Sequence, residues 1–457
     1  MELKQAFDIN KGDVISFIGA GGKTSTLVAL AYEMIEDDWR VLATTTTRVG
    51  VDQLDLMPFS MQYDQNPDAV SEAISRYKFV FLYASIEGDK VLGLAPKTIK
   101  RLLDNIDSDI LLIEADGARG LPCKALKAHE PVIPRETSIV IATVSMSAVG
   151  QPLEEAFIYN AQAMIDKFGF YPGTPVRSPW IAQVLRDEEL GLKNIPPKAR
   201  VYAYLNQTPY EGYLRNRARL VARLTLNSEQ IYGVAIGSVR AAQPVYEIQR
   251  PVGAIILAAG ASSRMGQPKV LLPWEHNTSI IEHIIEQLIR ARVNHIVVVT
   301  GHYADEIKAV VRPLGVKVVF NRSYKTGEML SSVKTGLRAL PEHVSAALMV
   351  LGDQPRIQPK TVLHILDAYA QCKSDLIAPS FEMRRGHPIL IGRRYWNEIL
   401  ALSRHQAPRD VINAHHEKIH YINVTTDSVL QDIDTPHDYQ EARRKAGLPK
   451  LDIKPIR

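Results

Sequence analysis

Arg264 and Lys269 lie along "LAAGASSRMGQPK", where an apolar run gives way to small side chains. Glycine and alanine there let the backbone approach a ligand closely, and a run of free amides makes an anion cradle. Two cations on such a loop suit a triphosphate, whose charge they would neutralise. A tight turn accounts for the glycines equally well. Further on, Asp353 follows the apolar "LMVLG", and Asp432 and Asp434 stand in "LQDIDTPHD". Carboxylates from separate strand ends suit Mg²⁺, which takes one or two of them and draws its other ligands from phosphate. The same acids also suit helix capping, since "DTP" is good N-cap sequence.

The first half of the chain poses a related problem. "VISFIGAGGKTSTLVALA" runs an apolar strand into Gly19, Gly21, Gly22, Lys23, Thr24 and Ser25, and a helix follows at once. Backbone amides, a helix N-terminus, a lysine and a hydroxyl are the parts of a phosphate-binding loop. The full spacing G-x-x-x-x-G-K-[ST] needs glycine at position 17, where Phe17 stands, so the loop is a shorter form resembling that of the Mur ligases. The dinucleotide pattern G-x-G-x-x-G is not present. "LLIEADGARG" adds Glu114 and Asp116, two apart and so on one face of extended backbone, where they could hold Mg²⁺ or orient a water. A turn built on Asp-Gly is the plainer reading. Thr46 in "TTTTR" ends another strand, with strand propensity alone explaining much of that run. Arg215, Arg219 and Arg223 fall at four-residue spacing; a solvated helix face is expected, with an anion-docking patch as the alternative.

These residues need elements to hold them. Short apolar runs alternate with helical patterns: "DVISFIGA", "RVLATTTT", "FVFLYAS", "DILLIEADG", "SIVIATV", "ARVYAYLNQ" and "IYGVAIGS". A second series begins at "GAIILAAG" and continues through "HIVVVTGH", "AALMVLGDQP" and "PILIG". The expected class is α/β with two three-layer domains: a P-loop-like parallel sheet over 1–240 and a second sheet over 251–457. The polar, proline-punctuated 241–250 reads as the linker, and 150–200 as a possible helical insertion. Among 457 residues, 54 Lys and Arg face 50 Asp and Glu, a net charge of +4. That balance gives no footprint for nucleic-acid binding. Cys123 and Cys372 form no disulfide or metal-ligand pattern, no apolar run is long enough to span a membrane, and a cytoplasmic location is expected.

"LAAGASSRMGQPKVLL" resembles the signature of nucleotidyltransferases, and "VLGDQP", "RRGHPIL" and "DIDTPHDY" fit the branch that includes molybdenum cofactor cytidylyltransferases. The resemblance implies a Rossmann-like nucleotidyltransferase sheet over 251–457, with an NTP on the loop of Leu257, Ala258, Ala259, Gly260, Ser263 and Gly266. It also implies Mg²⁺ on Asp353 with Asp432 or Asp434, and CMP transfer from CTP to molybdopterin or its metallated form. Ala259, where guanylyl-transferring relatives more often have glycine, favours CTP. Gly327, Ser331, Ser332, Gly386 and His387 fall in the substrate segments, His387 serving equally well as a structural histidine. The family's late Gly-Asp-x-Gly-Ala-Arg segment is replaced by "SRHQAPRDVINAH", with Arg409 and Asp410 as partial substitutes, which leaves the acceptor open.

In the first half, "GAGGKTS", "TTTTR", "EADGARG" and "HEPVIP" resemble the selenium-dependent hydroxylase accessory family (YqeC-like). That resemblance implies a nucleotide, ATP being one candidate, used to modify or deliver the cofactor. The expected client is an apo molybdenum hydroxylase of the xanthine dehydrogenase type. Two other readings compete: a sugar-phosphate or other small-phosphate nucleotidyltransferase, and a nucleotide-gated chaperone without chemistry.

Overall fold

Apolar runs buried along almost their whole length become the central strands of two sheets, as strands covered on both faces must be. The computed structural model describes residues 1–262, 264–275 and 278–451. The chain divides into two units, Met1–Gln249 and Arg250–Arg457.

In the first unit nine described strands form one sheet: β1 (Val14–Gly19), β2 (Val41–Thr45), β3 (Ser60–Gln62), β4 (Phe79–Tyr83), β5 (Ile110–Glu114), β6 (Ile139–Ser145), β7 (Arg200–Asn206), β8 (Ile231–Gly237) and β9 (Val245–Gln249). Their order is β9-β8-β7-β6-β1-β5-β2-β4-β3. Every pairing is parallel except β8 with β9. Strand order turns at β1, where the chain first moves toward β2 and later returns to β6. Such a switch point opens a crevice at the strands' carboxyl ends. Helix α1 (Lys23–Glu36) starts there and lays Leu27, Leu30 and Met34 on Ile15 and Phe17. Ile18 of the same strand joins the core on the other side. Truncating any of these to alanine would cost about 2–5 kcal/mol.

Residues 150–200 hold α2 (Ala161–Phe168) and α3 (Ser178–Leu185), whose Met164 and Ile181 pack with Ala142 and Val201. The segment read as a linker is largely structural. Its residues Val245–Gln249 are β9, antiparallel to β8. The solvated-face reading of the arginines fails for the same reason. Arg215 and Arg219, on α4 (Tyr213–Thr225), close on Glu247 of β9 at 3.3 and 2.7 Å, and Glu247 is fully buried. A buried carboxylate needs such partners, so polar composition here marks an ion-paired edge.

The second unit has eight described strands: β10 (Val252–Ala258), β11 (His295–Thr300), β12 (Lys317–Phe320), β13 (Ala346–Leu351), β14 (Leu376–Phe381), β15 (Arg384–Arg385), β16 (Ile389–Gly392) and β17 (Ile419–Asn423). They run β12-β11-β10-β13-β16-β14-β15, with β17 beside β14. The sheet is mixed, because β16 is antiparallel to both β13 and β14. Helix α5 (Ile280–Arg290) begins with a capping box, Ser279 with Glu282. Helix α6 (Glu328–Ala339) sets Val333 and Leu337 against Ile255. Helix α7 (Pro436–Lys445) closes the unit. No described helix is long and apolar enough to cross a membrane.

Candidate functional site

Strands β10 and β13 end side by side in the second unit, so their following loops share one edge. Gly352 donates its amide to Leu257 O at 3.1 Å, and a Cβ on Gly352 would stand 2.7 Å from that oxygen. This close approach delivers Asp353 beside the loop that follows Ala258. Along that loop Ala259 O accepts from His302 N at 3.4 Å, and among the described residues nothing lies within 4 Å of a Cβ built on Gly260. Gly266 has φ +72°, and Ser262 Oγ accepts from Lys269 N at 3.1 Å. Ser263 lies outside the described residues.

Lys269 is the centre of this edge. Its Nζ stands 2.5 Å from Asp353 and 3.1 Å from Asp434, and Arg264 reaches Asp434 at 2.9 Å. Asp432 accepts from Gln354 Nε2 at 2.6 Å. Burial pushes the Asp353 carboxyl above its usual range even though Lys269 pulls it down. Burial also works against the charge on Lys269, but Asp353 and Asp434 outweigh it and hold the ammonium above its ordinary value. The capping reading of "DTP" belongs to its neighbours. Thr435 caps α7 in a box with Asp438, leaving the Asp434 carboxylate to the cations. Among the described residues no group of three such side chains could hold a metal together, so the expected Mg²⁺ would rest on Asp353 with one further acid. Asp353 lies near Asp432, whose charge helps to raise its pKa, and shares Lys269 with Asp434; the oxygens of Asp353 with either acid are the right donors for Mg²⁺.

The residues expected to meet substrate are held in different ways. Gly327 precedes α6 with its Cα against Ser331, where an added Cβ would come within 2.4 Å. Ser331 and Ser332 both accept from Asn321 Nδ2, at 2.7 and 3.0 Å, and Ser332 is buried. Asn321 was not singled out in the sequence, although "FNRS" at a strand end could have suggested it. Gly386 has no room for a side chain, because a Cβ would meet Val429 O at 2.4 Å. His387 directs Nδ1 to Met349 O at 3.4 Å, and burial holds its pKa below the ordinary value, so the ring is neutral near pH 7. Asp410 caps its own helix by accepting from Ala407 N at 2.8 Å.

In the first unit the loop after β1 requires its glycines. Gly19, Gly21 and Gly22 have φ of +92°, +77° and +118°, and Cβ atoms there would meet Thr143 O, Ser145 N and Asn206 Nδ2 at 2.3–2.4 Å. Asn206 braces the loop by donating to Gly21 O at 2.9 Å. The opening amides of α1, from Lys23, Thr24 and Ser25, have no acceptor inside the helix and remain available to an anion.

Lys23 is buried, bonded to Gly19 O at 2.8 Å and paired with Asp116 at 3.1 Å and Glu114 at 3.8 Å. Burial opposes its charge, and Asp116 and Glu114 overcome that to raise its pKa. Glu114 has less support. Burial pushes its carboxyl upward despite Lys23 and the Thr24 hydroxyl, which donates to it at 2.7 Å. Asp116 also takes Gly19 N at 2.9 Å and Lys124 at 3.2 Å. Thr46 spends its hydroxyl on Val132 O at 2.7 Å. Lys124 and Gln53, which meets Thr24 at 3.2 Å, join the site from places no sequence motif marks.

Both edges therefore present amides, small residues and cations to an anion, with acids beside them. Comparison with known proteins gives the same division of the chain. A MobA-like NTP transferase domain model matches residues 254–419, and a YqeC protein model matches residues 15–162. Over 199 residues the chain is 32% identical to "Uncharacterized protein YqeC" of Escherichia coli K12, covering 42% of this chain and 75% of that one. It is 29% identical over 200 residues to the molybdenum cofactor cytidylyltransferase of the same strain, covering 42% of this chain and 96% of that one. A nicotine blue oxidoreductase of Paenarthrobacter nicotinovorans is 32% identical over 149 residues, 31% of this chain and 70% of that one. The chain thus belongs to the YqeC family through its first unit and carries a MobA-like NTP transferase domain in its second.

Proposed function

We propose that the second unit transfers CMP from CTP to the terminal phosphate of molybdopterin or its metallated form. The observation that carries this reading is Lys269, held between Asp353 and Asp434 at the lip of a small-residue loop. The E. coli cytidylyltransferase, matched over nearly its whole length, supports the choice of substrate. The loop from Leu257 to Gly266 cradles the triphosphate, and Arg264 and Lys269 exchange their carboxylates for phosphate oxygens. An oxygen of the acceptor phosphate attacks the α-phosphorus, the bond to the bridging oxygen breaks, and pyrophosphate leaves. Cations fixed along the loop stabilise charge that grows on the leaving group. Mg²⁺ on Asp353 with Asp432 or Asp434 would supply further positive charge against the triphosphate. His387, neutral, shapes the acceptor side without adding charge.

The first unit, on this reading, binds ATP at Gly19 to Ser25 and serves the same cofactor before or after cytidylylation. Its client is an apo molybdenum hydroxylase of the xanthine dehydrogenase type, in the cytoplasm. Tethering two such sites raises the effective concentration of an intermediate passed between them. The test is pyrophosphate release by the full chain with Mg²⁺, each ribonucleoside triphosphate and molybdopterin. Release with CTP that depends on molybdopterin is expected. Equal release with a sugar phosphate, or none with any nucleotide, would overturn the assignment.

A further inference from the structure

One group of charges beside the first unit's loop is left over by the reading above. Residues Cys123–Lys124 pair in parallel with Ile158–Tyr159, in a register that sets Tyr159 opposite Lys124. Ala125 N donates to Tyr159 O at 3.0 Å, and Asn160 Nδ2 reaches Ala125 O and Leu126 O at 3.2 Å each. The backbone of the ribbon is thus pinned. Three cations gather on the half-buried Tyr159 ring: Lys124 at 4.7 Å, Lys127 at 4.8 Å and Arg119 at 5.8 Å from its centroid.

Lys124 is accounted for. It is buried and paired with Asp116 at 3.2 Å and Glu130 at 2.8 Å. Arg119 and Lys127 are different, since among the described residues no carboxylate oxygen lies within 4.0 Å of either charge. A cation gains only modestly from one tyrosine ring, and mutually repelling neighbours erode that gain. Arg119 is moreover held at φ +52°, a left-handed conformation unfavourable for a residue with a side chain, and followed by Gly120 at +72°. Strain of this kind persists where the surroundings over-determine it, commonly at ligand sites.

We propose that Arg119, Lys127 and the Tyr159 ring bind a phosphomonoester bearing a planar ring, as the second substrate of the first unit. Arginine's planar fork matches two phosphate oxygens, lysine adds a point charge, and the tyrosine face receives the ring. The position argues for a second substrate. Asp116 contacts both Lys124 and Lys23, and Gly21 N donates to Leu121 O at 3.0 Å, so residues 116–124 form a wall shared with the nucleotide loop. This inference rests on the nucleotide reading of that loop.

The probe is phenyl phosphate, titrated by calorimetry into the full chain after ATP, CTP and Mg²⁺ have filled the nucleotide sites. A binding event beyond any at the second unit's acceptor side is expected. It should weaken about tenfold or more in Arg119→Gln/Lys127→Gln, with a shallower salt dependence, because two charged partners are lost. In Tyr159→Leu, phenyl phosphate should lose its advantage over inorganic phosphate. Arg119 is exposed and Lys127 half-buried, and an unchanged melting curve will show that the double variant folds. Equal titration of wild type and double variant, or no binding to wild type, overturns the site while ATP uptake still supports the loop. A wild-type chain that takes up no ATP sinks the nucleotide reading and the second-substrate role together.

Discussion

Replacing Lys23 with methionine tests whether the first unit's loop is held by buried charge. The substitution keeps the length of the side chain and removes only the ammonium. In the native site that ammonium lies 3.1 Å from Asp116 and 3.8 Å from Glu114, and its side chain is 4% exposed. Without it, Asp116 retains Lys124, but Glu114 keeps only the Thr24 hydroxyl and a distant Lys124. Removing one partner of a buried ion pair costs about 3–5 kcal/mol, because the other charge is left without compensation. For a unit of this size each kcal/mol moves the melting temperature by about 2–4 °C, so a drop of roughly 6–20 °C is expected. Scanning calorimetry of the full chain at pH 7 measures it.

Two controls sharpen the expectation. Lys167→Met removes a cation from Asp187 and Glu189 at 2.8 and 2.6 Å, but at a surface where Glu189 is 76% exposed. There the cost should stay within about 1 kcal/mol. Lys23→Met/Glu114→Gln should recover part of the lost stability, since the stranded charge is gone. The loss in Lys23→Met should also shrink at low pH. Glu114's pKa is raised in the folded protein, so its protonated form is favoured there, and ionisation becomes costly as pH climbs through that raised value. A Lys23→Met melting temperature within 2 °C of wild type, or equal to that of Lys167→Met, would refute the argument, the threshold being less than about 1 kcal/mol.

In the second unit, Asp353→Asn should lower pyrophosphate release by about 10²–10³-fold, the scale of losing one preorganised charge, while CTP binding measured by fluorescence anisotropy persists. Wild-type turnover in that variant would remove Asp353 from the chemistry. Gly19→Ala must place a Cβ 2.3 Å from Thr143 O at φ +92°, so unfolding in urea should show a loss of more than about 1–3 kcal/mol along with ATP binding. Arg219→Ala leaves the buried Glu247 with Arg215 alone and should destabilise the first unit by about 3 kcal/mol, read from the same urea curves. His387 should stay neutral on lowering pH past the ordinary histidine value: its folded pKa is depressed, so its stabilising contribution is intact above the unfolded pKa and fades only as pH falls through the lower one. Chemical shifts of its ring carbons across pH 5–8 will show this, and protonation at or above the ordinary value would disprove it.

Much of the architecture is written locally. Val14–Gly19 and Val252–Ala258 are apolar runs ended by glycine or alanine, a pattern that marks a buried strand and the turn that follows it. Gly19, Gly21 and Gly22 were also readable, because phosphate loops need backbone without Cβ, and each proves to have none to spare. What lay beyond reach were pairings across the chain. Only the sheet places Glu247 under Arg215 and Arg219, turning an expected linker into β9 and an expected wet face into a buried ion pair. Only the fold brings Lys269 onto Asp353 and Asp434, or divides "DTP" so that Thr435 caps the helix and Asp434 does not. Helix and strand periods are set by neighbours along the chain. A charge's partner is set by which distant segment shares its edge of the sheet, and no spacing in the sequence encodes that distance.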